Sequence, residues 1–288
     1  MKRVGLIGYP LGHSISPLIQ NAAFAHHGRE ERYELWETAP PQLEARLRGL
    51  RDDDVLGGNV TVPYKEAAMP YLDELDAVAR ETRAVNTVVN AGGRLVGSNT
   101  DVAGFAQALA GAGFSPQGKR TVILGAGGAA RAVGFVLVRA GAATVDLCDL
   151  VPERGDKLAA HLRSLAGAGA AVRSYRPDDA AFRQSVTTCD LLVNCTPAGT
   201  RHSEVESLLP VDAELIPSKA LVFDLVYNPL VTPLIAAAEA RGARTAGGLP
   251  MLVYQAAASF KLWTALEAPV ELMLAEGRRA LSAMPDKS

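Results

Sequence analysis

Cysteine, aromatic residues and net charge are all scarce in this 288-residue sequence, and each shortage removes a class of function. The three cysteines, Cys148, Cys189 and Cys195, are an odd, sparse set without metal-ligand spacing. Neither a disulfide framework nor a zinc site is expected from them, and they read as thiols of a reducing cytoplasm. Lys and Arg number 29 against 31 Asp and Glu, so no basic footprint for nucleic acid or anionic lipid exists. An anionic substrate would have to be held by local groups. No run approaches the roughly 18 apolar residues of a membrane span. The apolar stretch after Met1-Lys2-Arg3 breaks at Gly8-Tyr9-Pro10, too early for a signal peptide. The expectation is a cytoplasmic protein with no membrane or nucleic-acid partner.

What is present is ordinary for a folded protein: 48% hydrophobic and 21% charged residues, over a length that suggests two domains. Arg3 to Ile7 reads as a strand, stopped by the Gly8–Pro10 turn. Ser16-Pro17 then opens a helix to about His27, with Ser16 as N-cap. Tyr33 to Thr38 and Gly58 to Val62 read as strands, with helices over Pro41 to Leu50 and Lys65 to Leu75. Ala84 to Val89 and Arg94 to Gly97 form a hairpin around Asn90–Gly93. After the helix Val102 to Ala112, strands at Arg120–Leu124, Ala143–Leu147, Leu191–Asn194 and Leu221–Asp224 follow the βαβ pattern of a doubly wound sheet. Pro250 to Thr264 is a long helix. The fold class is therefore α/β with two domains. An N-terminal unit, 1–102, has a mostly parallel sheet and takes back the C-terminal helices of 248–288. A Rossmann-type unit spans 103–247.

Gly125-Ala126-Gly127-Gly128-Ala129-Ala130 sits between a strand and a helix, the context a dinucleotide loop requires. Gly125 permits the tight turn, Gly127 lets the backbone approach a pyrophosphate, and the helix start offers free N–H groups. About 20 residues on, a carboxylate can bind the adenosine ribose of NAD and repel the 2′-phosphate of NADP. Asp149 is the candidate and Asp146 the rival. Arg154 complicates this, since a guanidinium there could still hold a phosphate.

Four polar blocks in the first unit are not explained by composition. In His13-Ser14-Ile15-Ser16-Pro17 two hydroxyls can face one small anion. In Asn59-Val60-Thr61-Val62-Pro63-Tyr64-Lys65, Asn59 and Thr61 share a strand face and Lys65 follows just beyond it. Asn86-Thr87 and Asn99-Thr100-Asp101 complete the set.

The chain resembles the shikimate dehydrogenase family over nearly its whole length. The matching blocks, in order, are GYPLGHSISP with QNAAF, NVTVPYKEAA, AVNTVV, GSNTDVAGF, ILGAGGAARAV, NCTPAG, DLVYNPLVTPL and GLPMLVYQAAASFKLWT. The resemblance implies reversible NAD(P)-dependent reduction of 3-dehydroshikimate to shikimate, a step toward chorismate and the aromatic amino acids, with substrate and nicotinamide meeting between the domains. It implies Lys65 and Asp101 as the catalytic pair, and Ser14 and Ser16 on the substrate carboxylate. Asn59, Thr61, Asn86, Asp101 and Gln255 would hold ring hydroxyls, and Tyr227 would line the site. Gly125, Ala126, Gly127, Gly128 and Ala129 would carry the cofactor, with Thr196 and Gly247 bordering the nicotinamide. Reduction of a ketone by hydride suits a lysine that supplies the proton, and it needs no metal.

Two departures bear on specificity. The family's usual Asn-Arg-Thr segment is replaced by Asp149-Leu150-Val151, while Arg154 keeps the later basic position. From this, NAD is expected over NADP, with NADP the alternative. Gln20 stands where the family usually has His, as in the quinate/shikimate branch, whereas the Ser14/Ser16 pair matches the shikimate-selective pattern. Shikimate is expected, with quinate as a second substrate. An aminoshikimate or methylene-tetrahydrofolate dehydrogenase, or a nucleotide sensor without catalysis, are the rival readings. A monomer or homodimer is expected.

Overall fold

A computed structural model describes residues 1–12, 14–167 and 169–284. The chain divides into two compact units, one formed by Met1–Gly104 with Leu252–Met284, the other by Phe105–Met251.

The first unit begins with β1 (Arg3–Gly8), α1 (Ser16–His26), β2 (Arg32–Glu37), α2 (Leu43–Arg48) and β3 (Val55–Val60). It continues through β4 (Glu74–Leu75), α3 (Ala77–Thr82), β5 (Thr87–Ala91) and β6 (Arg94–Ser98). The six strands form one sheet in the order β2-β1-β3-β5-β6-β4, with β1, β2 and β3 mutually parallel and β5 antiparallel to both neighbours. Ile7, Val60, Val88 and Leu95 project from its strands into a core shared with Leu43, Leu47 and Leu50. The apolar periodicity around α2 has this cause: Leu43 and Leu47 are one helical turn apart and bury the same face. The helix expected over Lys65 to Leu75 does not form. Turns and a short 3-10 segment, Met69–Tyr71, replace it before β4. Pro70 denies an amide donor to a longer helix, and its ring disfavours a helical residue before it.

After α4 (Asp101–Gly111) the second unit runs β7 (Arg120–Leu124), α5 (Gly128–Arg139), β8 (Thr144–Cys148), α6 (Pro152–Ala166), β9 (Ala171–Tyr175) and α7 (Ala180–Thr188). β10 (Leu191–Asn194), β11 (Leu221–Asp224), α8 (Pro233–Ala240) and β12 (Arg244–Ala246) follow. All pairings in this sheet are parallel, and its order is β12-β11-β10-β7-β8-β9. Counted from β7, this is the doubly wound dinucleotide-binding order, with the switch point between β7 and β10. The central strands are buried on both faces and accordingly read as continuous apolar runs. The chain ends in α9 (Leu249–Thr264) and α10 (Val270–Ser282), and α10 packs against α1. Among the described residues no helix is long and apolar enough to cross a membrane.

Candidate active site

In the first unit the polar blocks converge at the ends of β1, β3 and β5 and on α9. The segment between β1 and α1 is pinned by Glu37, whose Oε2 accepts from Leu11 N at 2.7 Å. Ser16 is the first residue of α1 and does not cap it, and the N-cap residue Ile15 supplies no side-chain bond. Ser14 takes that part: its Oγ accepts from Ser16 N at 3.3 Å and donates to Ser16 Oγ at 3.1 Å. The local geometry thus reverses the expected capping and brings the two hydroxyls together at a helix start, where an anion is favoured. His13 lies outside the described residues.

Asn86 is the hub of the arrangement. Its Oδ1 accepts from Thr100 N at 2.8 Å, and because a backbone N–H can only donate, the amide orientation is fixed. Nδ2 then faces Asp101 Oδ1 at 2.9 Å and Gln255 Oε1 at 3.2 Å. The second oxygen of Asp101 meets Lys65 Nζ at 2.5 Å, and the two side chains are only 6% and 13% exposed. Lys65, Asp101, Asn86 and Gln255 are therefore one connected group. A lysine held by a buried carboxylate has its ammonium fixed in space and keeps donors to spare, which is what proton delivery to a developing oxyanion requires.

Below this group lie Asn59, Thr87 and Thr100 of the polar blocks, joined by Tyr33 and Ser259, the two residues that the sequence pattern did not single out. Asn59 is 5% exposed. Its Oδ1 accepts from Tyr33 OH at 2.8 Å, and its Nδ2 lies 3.0 Å from Asn86 O, 3.0 Å from Thr87 Oγ1 and 3.1 Å from Ser259 Oγ. The carboxamide of Asn59 is thus spent inside the protein, in support of Asn86. Ser259 also contacts Thr87 Oγ1 at 2.8 Å and Thr100 Oγ1 at 3.0 Å, and it donates to Gln255 O. The helical spacing of Gln255 and Ser259, four residues on one face, is the signal that could have found it. Thr61 follows β3 directly, and its N–H donates to Ile7 O at 2.8 Å. Among the described residues no group of three or more His, Cys, Asp or Glu is gathered as for a metal ion.

The second unit carries the glycine loop at the end of β7. Gly125 has φ +93°, and a Cβ there would come within 3.0 Å of Thr196 Cγ2, so both backbone conformation and close approach demand glycine. Gly127 differs, since a Cβ there would meet nothing within 4 Å, and the residue is exposed. It is also the N-cap of α5, which has no side-chain cap. A loop that opens onto space at Gly127, with uncapped helical N–H groups behind it, fits a pyrophosphate. Thr196 lies in the segment after β10, Tyr227 in the segment after β11 and Gly247 just before α9, all three half-buried. Arg154 is exposed in the first turn of α6.

Asp149 does something other than expected. One carboxylate oxygen accepts from Ala126 N at 2.7 Å and the other from Val151 N at 2.8 Å. The side chain ties the glycine loop to the turn after β8, and both oxygens are engaged by backbone donors. The rival Asp146 lies within β8, bonded to Ser185 and paired with Arg173 at 3.1 Å. Burial raises its pKa above 3.8, partly offset by Ser185 and Arg173.

Comparisons with known proteins identify the family. Residues 6–88 match the model of the shikimate dehydrogenase substrate binding domain, and residues 248–276 that of the shikimate 5′-dehydrogenase C-terminal domain. A shikimate dehydrogenase (NADP(+)) of Moorella thermoacetica is 48% identical over 97% of this chain and 94% of its own. Shikimate 5-dehydrogenase of Thermus thermophilus, solved with NADP(H) and shikimate, superposes with a TM-score of 0.86 at 38% identity, covering 98% of this chain and 100% of that one. A shikimate dehydrogenase solved with NADP+ gives 0.89 at 34% identity, covering 98% of this chain and 96% of that one. These names overturn the expectation of NAD drawn from Asp149. The physical reason is that a carboxylate already bonded to Ala126 N and Val151 N is a brace for the loop, with its charge met by backbone dipoles.

Proposed function

The chain belongs to the shikimate dehydrogenase family, and from that premise we propose that it interconverts 3-dehydroshikimate and shikimate with NADP as the redox partner. The observation that carries this reading is the Lys65–Asp101–Asn86–Gln255 group, in which a lysine is held 2.5 Å from a buried carboxylate.

NADPH, when bound, supplies the hydride that reduces the ketone. The chain's own residues do the rest. Negative charge collects on the carbonyl oxygen as the ketone is reduced, and the Lys65 ammonium stabilises that charge and passes it a proton. In the oxidising direction Lys65 takes the proton from the same hydroxyl. Asp101 holds Lys65 in place with one oxygen and, with Asn86, Thr61 and Gln255, binds ring hydroxyls. Ser14 and Ser16 present paired hydroxyls to the carboxylate, a fit that favours shikimate over quinate, whose extra hydroxyl sits beside that group. Gly125, Ala126, Gly127, Gly128 and Ala129 receive the pyrophosphate, Thr196 and Gly247 border the nicotinamide, Tyr227 lines the site, and Arg154 meets the 2′-phosphate. The protein works in the cytoplasm as a monomer or homodimer, on a small-molecule substrate in the route to chorismate, without nucleic-acid or membrane partners.

Mixing the protein with shikimate and NADP+ and following absorbance near ~340 nm tests the reading, because only hydride transfer makes reduced nicotinamide. A steady rise is expected, much faster than with quinate. No rise with shikimate would refute the proposal.

A further inference from the structure

Asp224, the last residue of β11, is a carboxylate with 0% exposure that the reaction does not use. Burial raises its pKa, and bonds from Thr232, Val226 and Asn194 partly offset this. A buried carboxylate costs stability unless donors surround it, and an apolar side chain would fill the space more cheaply. Its donors are informative. Asn194 Nδ2 donates to Oδ1 at 2.9 Å, Val226 N donates to Oδ1 at 3.0 Å and Thr232 Oγ1 donates to Oδ2 at 2.6 Å. Asn194 is the residue paired with Asp224 in the β10–β11 register. Its own Oδ1 accepts from Thr196 N at 3.0 Å and Thr196 Oγ1 at 2.6 Å. Every donor to this pair therefore belongs to one of the two segments that leave β10 and β11, or caps the helix after them.

Backbone bonds stitch the same segments together: Leu225 N donates to Asn194 O, Arg201 N to Asn228 O and Gly248 N to Val226 O. Thr196, held at both polar atoms by Asn194, turns its methyl toward Gly125 in the glycine loop. In a doubly wound sheet ligands lie outside the carboxyl ends of the strands, one nucleotide over each half. The half with β8 and β9 takes the adenosine, so the half with β10 and β11 takes the nicotinamide.

We propose that Asp224, acting through Asn194 and Thr232, is a positioning residue that sets the 195–200 and 225–232 segments against the nicotinamide half of the cofactor. The proposal rests on the reading above that this unit binds NADP.

The test compares wild-type enzyme with Asp224→Ala and Asp224→Asn, using 2′,5′-ADP as a probe of the adenosine half alone. Asn keeps an acceptor for Asn194 and Val226 but not for Thr232, so its effect is smaller in size and the same in kind; it carries the test if the Ala variant does not fold. Expected for Asp224→Ala are 2′,5′-ADP affinity within about twofold of wild type, a turnover loss of roughly 100-fold and a larger primary isotope effect with 4-deuterated NADPH, as an ångström of misplacement at the reacting centre would give. Equal weakening of 2′,5′-ADP and whole NADP+, or unchanged turnover, would overturn the proposal. If wild-type protein binds NADP+ but does not oxidise shikimate, the substrate reading fails by itself. The positioning role is then judged on affinity: Asp224→Ala must lose what NADP+ binding has beyond 2′,5′-ADP, and keeping it overturns the role.

Discussion

The two units build their sites from different materials. In the first, the arrangement is made by side chains: Lys65, Asp101, Asn86 and Gln255 contact one another, and Asn59, Thr87, Thr100 and Ser259 fill in below. In the second, it is made by backbone: a glycine at φ +93°, an uncapped helix start, and acidic side chains whose work is to brace loops. Chemical type marks which residues of the first unit are drawn together, with Asn59 turned to the support of Asn86, and it says less in the second, where backbone makes the arrangement. Asp149 is the instance. Its type and spacing suit a ribose ligand, yet its oxygens hold Ala126 N and Val151 N.

The sharpest way to break this contrast is in the first unit. Lys65→Ala should lower turnover by about 10²–10⁴-fold, the usual worth of a general acid–base, with NADPH affinity nearly unchanged. Steady-state kinetics beside a fluorescence titration of NADPH would show it, and near-normal turnover would remove the lysine from the chemistry. The second unit predicts a different pattern for Asp149→Ala. Affinity for NADP+ and for NAD+ should fall together, by about tenfold, which is about 1.4 kcal/mol. Calorimetry with both cofactors decides the matter, because a selective loss of NAD+ binding would mean that Asp149 reads the ribose after all.

A smaller effect comes from Asp146, whose pKa burial raises above 3.8 against the opposing pull of Ser185 and Arg173. A carboxyl that holds its proton more tightly when folded contributes stability below about 3.8 and loses it as pH rises through the folded value. Asp146→Asn cannot ionise. Its urea midpoint relative to wild type should therefore climb between about pH 4 and about pH 7. A flat difference across that range would show that Asp146 titrates alike in both states.

What could be read from the sequence follows the same divide. Strands β7, β10 and β11 were legible because they are apolar runs stopped by glycine, asparagine or aspartate, as buried parallel strands require. Edge strands β9 and β12 were not, since short strands with one wet face carry little apolar signal. The segment 65–75 shows a helical pattern in its apolar residues, and Pro70 outweighs it. In the first site the polar blocks stand out because serine, asparagine and lysine are unusual at strand ends facing a core. Tyr33 and Ser259 were missed because a tyrosine in a strand and a serine in an apolar helix look like ordinary packing until their partners are known.

One ratio bears most directly on all of this, the kcat/KM of NADP+ over that of NAD+ with shikimate as the reductant. With Asp149 serving as a brace and Arg154 available to the 2′-phosphate, NADP+ should be preferred by about tenfold or more, the worth of a single charged contact. A preference for NAD+, or no shikimate-dependent reduction of either cofactor, would contradict it.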